Sequence, residues 1–110
     1  PAVGNYPDTE GHVPVVLGKE DVDSLFALRI KGDSMEPTLM DGDTVVVHWQ
    51  QDARHGDIVV VRFEEDESTV KRIKMRPSGA LLVPDNMKYP PFPLAEGRIS
   101  GKVLSLIRRL

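Results

Sequence analysis

The sequence predicts one mostly β domain. The segments 42–47 and 56–61 each place a glycine and an aspartate before a run rich in β-branched residues, a pattern typical of a turn that leads into a buried strand. No stretch keeps an apolar period of 3.6 residues, so long helices are not expected. A chain of 110 residues is long enough for a single hydrophobic core.

The remaining elements follow from local patterns along the chain. Residues 1–12 are rich in glycine, proline and small polar residues and predict an extended arm, whereas 13–110 form the domain. Pro37 suits the first turn of a short helix. The acidic run 64–67 is better explained as a solvated hairpin tip than as a metal site. The predicted strands are 13–17, 25–30, 44–47, 58–61, 68–75, 80–83 and 98–108, with an irregular loop at 86–93 and a bulge or close approach at Gly101.

Composition excludes several classes of protein. The formal net charge is −3 and the basic residues form no long run, so this piece alone is not expected to bind nucleic acid. The chain has no cysteine, which removes disulfides and thiol chemistry and makes a cytoplasmic location the default. Its apolar runs are too short to span a bilayer, and no secretory signal opens it, so no membrane is expected.

One serine and one lysine are the candidate catalytic pair. Ser34 lies in a turn-forming segment, 31–39, and Lys71 follows 37 residues later. If 68–75 is a strand, Lys71 shares a face with Thr69, Ile73 and Met75, because side chains alternate along a strand. Burial would lower the lysine pKa, and a neutral lysine could take the serine proton. The alternatives are a lysine that lies along the surface and a serine that only caps its turn.

Other groups give weaker signals. His12, His48 and His55 have no metal-ligand spacing, and without cysteine a zinc site is not expected. Asp43 and Asp57 are better explained as turn acceptors than as members of a triad. No glycine-rich phosphate loop is found, so the predicted cofactor set is empty.

Three motifs follow one another along the chain: Gly32-Asp33-Ser34-Met35, Asp41-Gly42-Asp43 and Thr69-Val70-Lys71-Arg72. In this order they resemble the C-terminal, peptidase S24 domain of the LexA repressor family, which includes CI-type phage repressors and UmuD proteins. The similarity covers about residues 10–110 and implies a rolled β-sheet of the β-clip type, much of which signal peptidases share.

The resemblance also implies roles for residues. Ser34 would be the nucleophile, Lys71 the general base, and the backbone N–H groups of Asp33 and Ser34 the oxyanion donors. Such proteins cut their own Ala-Gly bond between two domains when stimulated by RecA filaments on single-stranded DNA. That bond is expected just ahead of Pro1, so 1–12 would follow the cleavage site. The domain 13–110 would then combine peptidase and homodimer contacts, with operator DNA bound by a helix-turn-helix domain outside this chain.

Three alternatives stay open at this level. The sequence of the serine segment 34–39 is also similar to that of phage-type repressors, and it resembles the serine box of type I signal peptidases. A UmuD-like accessory subunit of an error-prone polymerase would share the same pair of residues. A LexA-like repressor that acts in the response to DNA damage is the preferred interpretation.

Overall fold

The computed structural model describes residues 22–64 and 67–110. Within them the chain forms a short 3₁₀ turn and one antiparallel sheet of seven strands, in the order β1-β2-β7-β3-β4-β5-β6. The 3₁₀ turn is Val22–Ser24, and the strands are β1 Leu25–Arg29, β2 Thr44–Trp49, β3 Ile58–Arg62, β4 Ser68–Arg76, β5 Gly79–Val83, β6 Phe92–Pro93 and β7 Arg98–Ile107. The mostly β prediction is therefore confirmed.

Most strand boundaries lie within two residues of their predicted positions. The predicted strand at 13–17, the arm at 1–12 and the middle of the acidic run lie outside the described residues. The hairpin between β3 and β4 is nevertheless closed, because the Phe63 N–H donates to the Glu67 carbonyl at 2.8 Å. The loop predicted at 86–93 ends in a strand, since β6 pairs Phe92 with Leu82.

The core lies on both faces of β3. Val60 contacts one apolar cluster, whereas Val59 and Val61 belong to a second cluster. Because neighbouring side chains of a strand point to opposite faces, both faces of β3 are covered. The first cluster contains Phe26, Ile30, Met35, Leu39, Val45 and Val47, and the second contains Ile73 and Leu82.

Strand β7 runs between β2 and β3 and shifts register against both. The pairing with β2 shifts between Val46 and Val47, and the pairing with β3 shifts between Val60 and Val61. Gly101 lies at the second shift and is buried. A Cβ atom there would lie against the Val47 side chain and 3.0 Å from the His48 carbonyl oxygen. The predicted close approach at Gly101 is confirmed.

Replacing Gly101 by alanine should therefore destabilise the domain by about 1–3 kcal/mol, the usual cost of overpacking a filled site. Urea denaturation followed by circular dichroism would measure the change. Ser105→Ala is the matched control on the same strand: its hydroxyl oxygen is buried with no hydrogen-bond partner among the described residues. The control should not lose stability, and equal unfolding midpoints for Gly101→Ala and wild type would contradict the packing argument.

Candidate active site

The serine lies in the loop between β1 and β2, and the loop is closed at its base. The Ile30 N–H donates to the Asp43 carbonyl, and the Gly42 N–H donates to the Ile30 carbonyl, both at 2.8 Å. Gly32 has a φ of 86°, a left-handed conformation that glycine adopts without strain. Its N–H donates to the Asp41 carboxylate at 2.7 Å. These bonds hold the turn that presents Ser34.

The turn itself is anchored by two buried side chains. Met35 and Leu39 pack in the first core cluster, and the Leu39 N–H donates to the Met35 carbonyl at 2.9 Å. Residues 34–38 form turns, and the Glu36–Pro37 peptide bond is cis. The short helix predicted at Pro37 is therefore wrong. Ser34 is half-buried at the start of this turn.

Lys71 is buried on β4, opposite Val59, and only 9% of it is exposed. Its Nζ donates to Thr69 Oγ1 at 2.6 Å and to the Val70 carbonyl at 3.2 Å. Burial lowers the pKa of the Lys71 ammonium from its ordinary value of 10.5, because desolvation disfavours the charged form. Strand alternation predicts Thr69 on the same face as Lys71, but no pattern in the sequence identifies Thr69 as the partner of the amine.

Ser34 and Lys71 line the same cavity, which has a volume of about 250 Å³. The end of β1 and the two residues that follow it, 28–31 in all, form another wall, and Thr69 also lines the cavity. Among the described residues the Ser34 hydroxyl and the Lys71 amine make no hydrogen bond to each other. The structure thus brings the two predicted residues to one cavity, with the lysine turned toward Thr69.

The backbone N–H of Ser34 is a free donor: no hydrogen bond of this group is found among the described residues. The neighbouring Asp33 carboxylate accepts from the Tyr89 hydroxyl. This bond is the main cause that holds the pKa of the Asp33 carboxyl below its usual range, and Lys88 adds to the effect.

The loop between β5 and β6, predicted only as irregular at 86–93, contacts the serine turn. The Asn86 N–H donates to the Ser34 carbonyl at 3.0 Å, and the Asn86 amide donates to the Asp33 carbonyl at 2.9 Å. Tyr89 from the same loop bonds the Asp33 carboxylate. No local pattern could reveal these contacts, since Asn86 and Ser34 are more than fifty residues apart.

The other candidate residues have structural partners. The Asp43 carboxylate accepts from the Met40 N–H at 2.8 Å and the Asp57 carboxylate from the Arg54 N–H at 2.9 Å, so their predicted role as turn acceptors is confirmed. His55 Nδ1 accepts from the Met75 N–H, and His48 Nδ1 lies 2.8 Å from the Gln50 side-chain oxygen. Over 22–64 and 67–110, no group of three His, Asp or Glu side chains is placed to hold a metal ion.

The candidate active site is not the larger of the two cavities described here. A larger cavity of about 720 Å³ lies between Trp49, Phe63 and Ile99, and neither Ser34 nor Lys71 lines it. Its walls combine these apolar side chains with charged ones, including Arg62 and Glu96. The smaller cavity is the candidate active site because a serine and a desolvated lysine, two residue types that nucleophilic catalysis can combine, both line it.

The fold and this cavity define a β-sheet domain that carries a serine and a buried lysine at one site. Residues 3–104 match the family described as Peptidase S24-like. The chain belongs to this family, and the antiparallel sheet of the described residues agrees with the β-clip type fold expected from the resemblance.

The chain is similar to curated proteins that are named LexA repressor. The chain is 45% identical over 89 residues to a LexA repressor of Halalkalibacterium halodurans, which covers 80% of this chain and 43% of the relative. It is 42% identical over 106 residues to a LexA repressor of Bacillus mycoides, which covers 92% of this chain and 50% of the relative. The chain thus spans about half the length of these relatives or less. None of the helices among the described residues is long and apolar enough to cross a membrane.

Proposed function

We propose that this chain is the autoproteolytic and dimerisation domain of a LexA-like repressor. Ser34 acts as the nucleophile and Lys71 as its general base. The observation that carries the proposal is the cavity that both residues line, in which burial lowers the lysine pKa. The names of the relatives support the assignment to a repressor.

The contacts of Lys71 suit a base. A neutral lysine amine has two N–H groups and one lone pair, whereas an ammonium has three donors and no acceptor. Thr69 Oγ1 and the Val70 carbonyl provide two acceptors for the two N–H groups. The lone pair is then left to accept the proton of Ser34.

The reaction follows from this arrangement. Ser34 Oγ attacks the carbonyl carbon of the scissile peptide, and its proton passes to the Lys71 amine. Lys71 then protonates the leaving amine as the C–N bond breaks, which leaves an ester on Ser34 that water hydrolyses. The backbone N–H groups of Asp33 and Ser34 are the proposed donors that stabilise the oxyanion.

Self-cleavage would regulate the full-length repressor, of which this chain is one domain. We place the scissile bond at an Ala-Gly pair between this domain and a helix-turn-helix domain that binds operator DNA. RecA filaments on single-stranded DNA stimulate the cut after DNA damage, and loss of the homodimer then releases the operator. This is the SOS response of a cytoplasmic repressor, and no cofactor is required.

The full-length protein should cut itself faster as the pH rises. The neutral fraction of Lys71 grows with pH and saturates above its folded pKa, which burial holds below 10.5, so the rate should reach a plateau in the alkaline range. Intact mass after incubation at a series of pH values would measure the cut. The Ser34→Ala protein should stay whole at every pH.

The masses of the cleavage products also distinguish between the alternative functions. Release of a domain-sized N-terminal piece supports the repressor, and release of only a short arm favours a UmuD-like polymerase accessory. A prophage CI-type repressor would give the same pieces as LexA but would bind a different operator. Cleavage of added secretory precursors, with no self-cleavage, would favour a signal-peptidase-like enzyme. An uncut wild type, even with RecA filaments, would refute autoproteolysis.

A further inference from the structure

A single carboxylate connects the serine turn to the lysine strand. Asp85 lies in the loop between β5 and β6, and its Oδ1 accepts from Arg72 Nε at 2.9 Å. Its Oδ2 accepts from Arg72 Nη2 at 2.8 Å and from Thr38 Oγ1 at 2.6 Å. Arg72 follows Lys71 on β4, and Thr38 lies four residues after Ser34. Asp85 therefore binds both halves of the candidate site at once.

The arginine is itself anchored to the sheet. Its remaining terminal nitrogen, Nη1, donates to the Gly56 carbonyl at 2.7 Å. The planar guanidinium thus contacts Asp85 through a two-pronged pair and the turn before β3 through a third bond. Because Arg72 is held on two sides, Asp85 has a fixed position relative to the backbone that carries Lys71.

The same loop also contacts the serine turn through groups other than the carboxylate. The Asp85 N–H lies 3.4 Å from the sulfur of Met35, the residue that follows Ser34. The Asn86 N–H donates to the Ser34 carbonyl, and the Asn86 side-chain amide donates to the Asp33 carbonyl. The carboxylate and these contacts together connect the loop to the turn from Asp33 to Thr38.

The hydrogen bonds between Asp85 and Arg72 are largely shielded from solvent. The side chains of Asp85 and Arg72 are only 13% and 29% exposed. The hydrogen bonds from Arg72, followed by that from Thr38, outweigh burial and hold the pKa of the Asp85 carboxyl below its usual range. Asp85 is therefore ionised wherever Lys71 can be neutral, and its charge-assisted bonds persist over the whole working range of the base.

We propose that Asp85 is a positioning residue that sets the distance between Ser34 and Lys71 by holding Thr38 and Arg72 together. The inference rests on the proposed Ser34–Lys71 chemistry. Asp85 does not touch the reacting atoms, and it acts through the two segments that carry them. Because the two residues share a cavity without a direct hydrogen bond, small relative shifts of these segments decide whether the proton can pass.

The test measures the intrinsic reactivity of Ser34 without a peptide substrate. A fluorophosphonate forms a Ser34 Oγ–P bond, loses fluoride from phosphorus, and delivers the serine proton to Lys71. Mass spectrometry of this chain follows labelling over a pH series. The midpoint of the rate profile reports the titration of Lys71, and the plateau reports how well the neutral lysine is placed.

Asp85→Asn and Thr38→Val should each lower the plateau by about 10- to 100-fold, the scale of a misplacement near 1 Å, and leave the midpoint unchanged. Thr38→Ser keeps the hydroxyl and should restore labelling. Thr38→Val also decides the case if Asp85→Asn fails to fold, because it preserves the Asp85–Arg72 pair. Lys102→Gln, which breaks a separate ion pair with Asp57, should label like wild type.

The outcomes are distinguishable. Folded Asp85→Asn and Thr38→Val proteins that reach the wild-type plateau would overturn the positioning role and leave the serine–lysine pair intact. A shifted midpoint with an unchanged plateau would overturn it as well, since that result means an effect on the lysine charge. If wild type does not label at Ser34, or if Lys71→Met labels as fast as wild type, the proposed chemistry fails and the positioning role falls with it.

Discussion

Replacing Lys71 by methionine should slow self-cleavage of the full-length protein by about 10²- to 10⁴-fold, the usual contribution of a positioned general base. Methionine is similar in length and apolar, so the site stays filled while the amine is lost. The rate that remains should no longer rise with pH through the lysine titration. Intact-mass kinetics at neutral and alkaline pH would measure both effects.

Lys74→Met is the matched control, because Lys74 lies on the same strand with its side chain on the alternate face. It should cleave at close to the wild-type rate. Cleavage of Lys71→Met at the wild-type rate would exclude Lys71 as the base.

The same substitution should stabilise the fold at neutral pH. Because burial lowers the folded pKa of Lys71, the unfolded chain binds more protons between that pKa and 10.5. The stability of the wild type therefore rises with pH across this window, and below it the charged lysine costs free energy of folding. Methionine removes that cost, so Lys71→Met should unfold at a higher urea concentration than wild type at pH 7. A lower midpoint would contradict the desolvation argument.

Replacing Ile73 by alanine should lower the free energy of unfolding by about 2–5 kcal/mol. Ile73 is completely buried in the second core cluster, opposite Leu82 of β5. The lost methyl groups leave a cavity between two paired strands, which cannot close without moving the sheet. Urea denaturation would measure the loss.

Met75→Ala supplies the control, two residues further along the same strand and on the same face. Met75 is 43% exposed, so its truncation should change stability by no more than about 0.5 kcal/mol. Equal losses for the two variants would mean that the core extends further along β4 than the structure places it.

Met75 also shows what strand alternation cannot predict, namely whether a side chain on the inner face is buried. Alternation correctly grouped Thr69, Lys71 and Ile73, and the structure buries Lys71 and Ile73 as that grouping requires. The period of two specifies which face a side chain occupies, but it contains no information on where the covering layer ends. The sheet continues past its apolar cover, so Met75 lies at the surface.

The prediction of a helix at Pro37 is wrong because it rests on local preference and takes no account of tertiary packing. Proline fits a helical first turn, yet the segment is shaped by Met35 and Leu39, which both insert into the core, and by the closed base of the loop. Packing of these two anchors outweighs local helix preference, which is a weak prior in a short segment.

By itself, the sequence determined the described strands of the sheet other than β6, the close approach at Gly101, and the candidate pair Ser34 and Lys71. The strands and the close approach depend on residue type and on the pattern within single segments, and the candidate pair rests on motifs in two segments. Only the tertiary structure decided that both residues line one cavity and that Thr69 accepts a hydrogen bond from the Lys71 amine. It also decided that Asp85 connects the serine turn to strand β4. Contacts between distant segments depend on how the whole sheet packs, because the chain pattern specifies the face of each strand and not its partner across the fold.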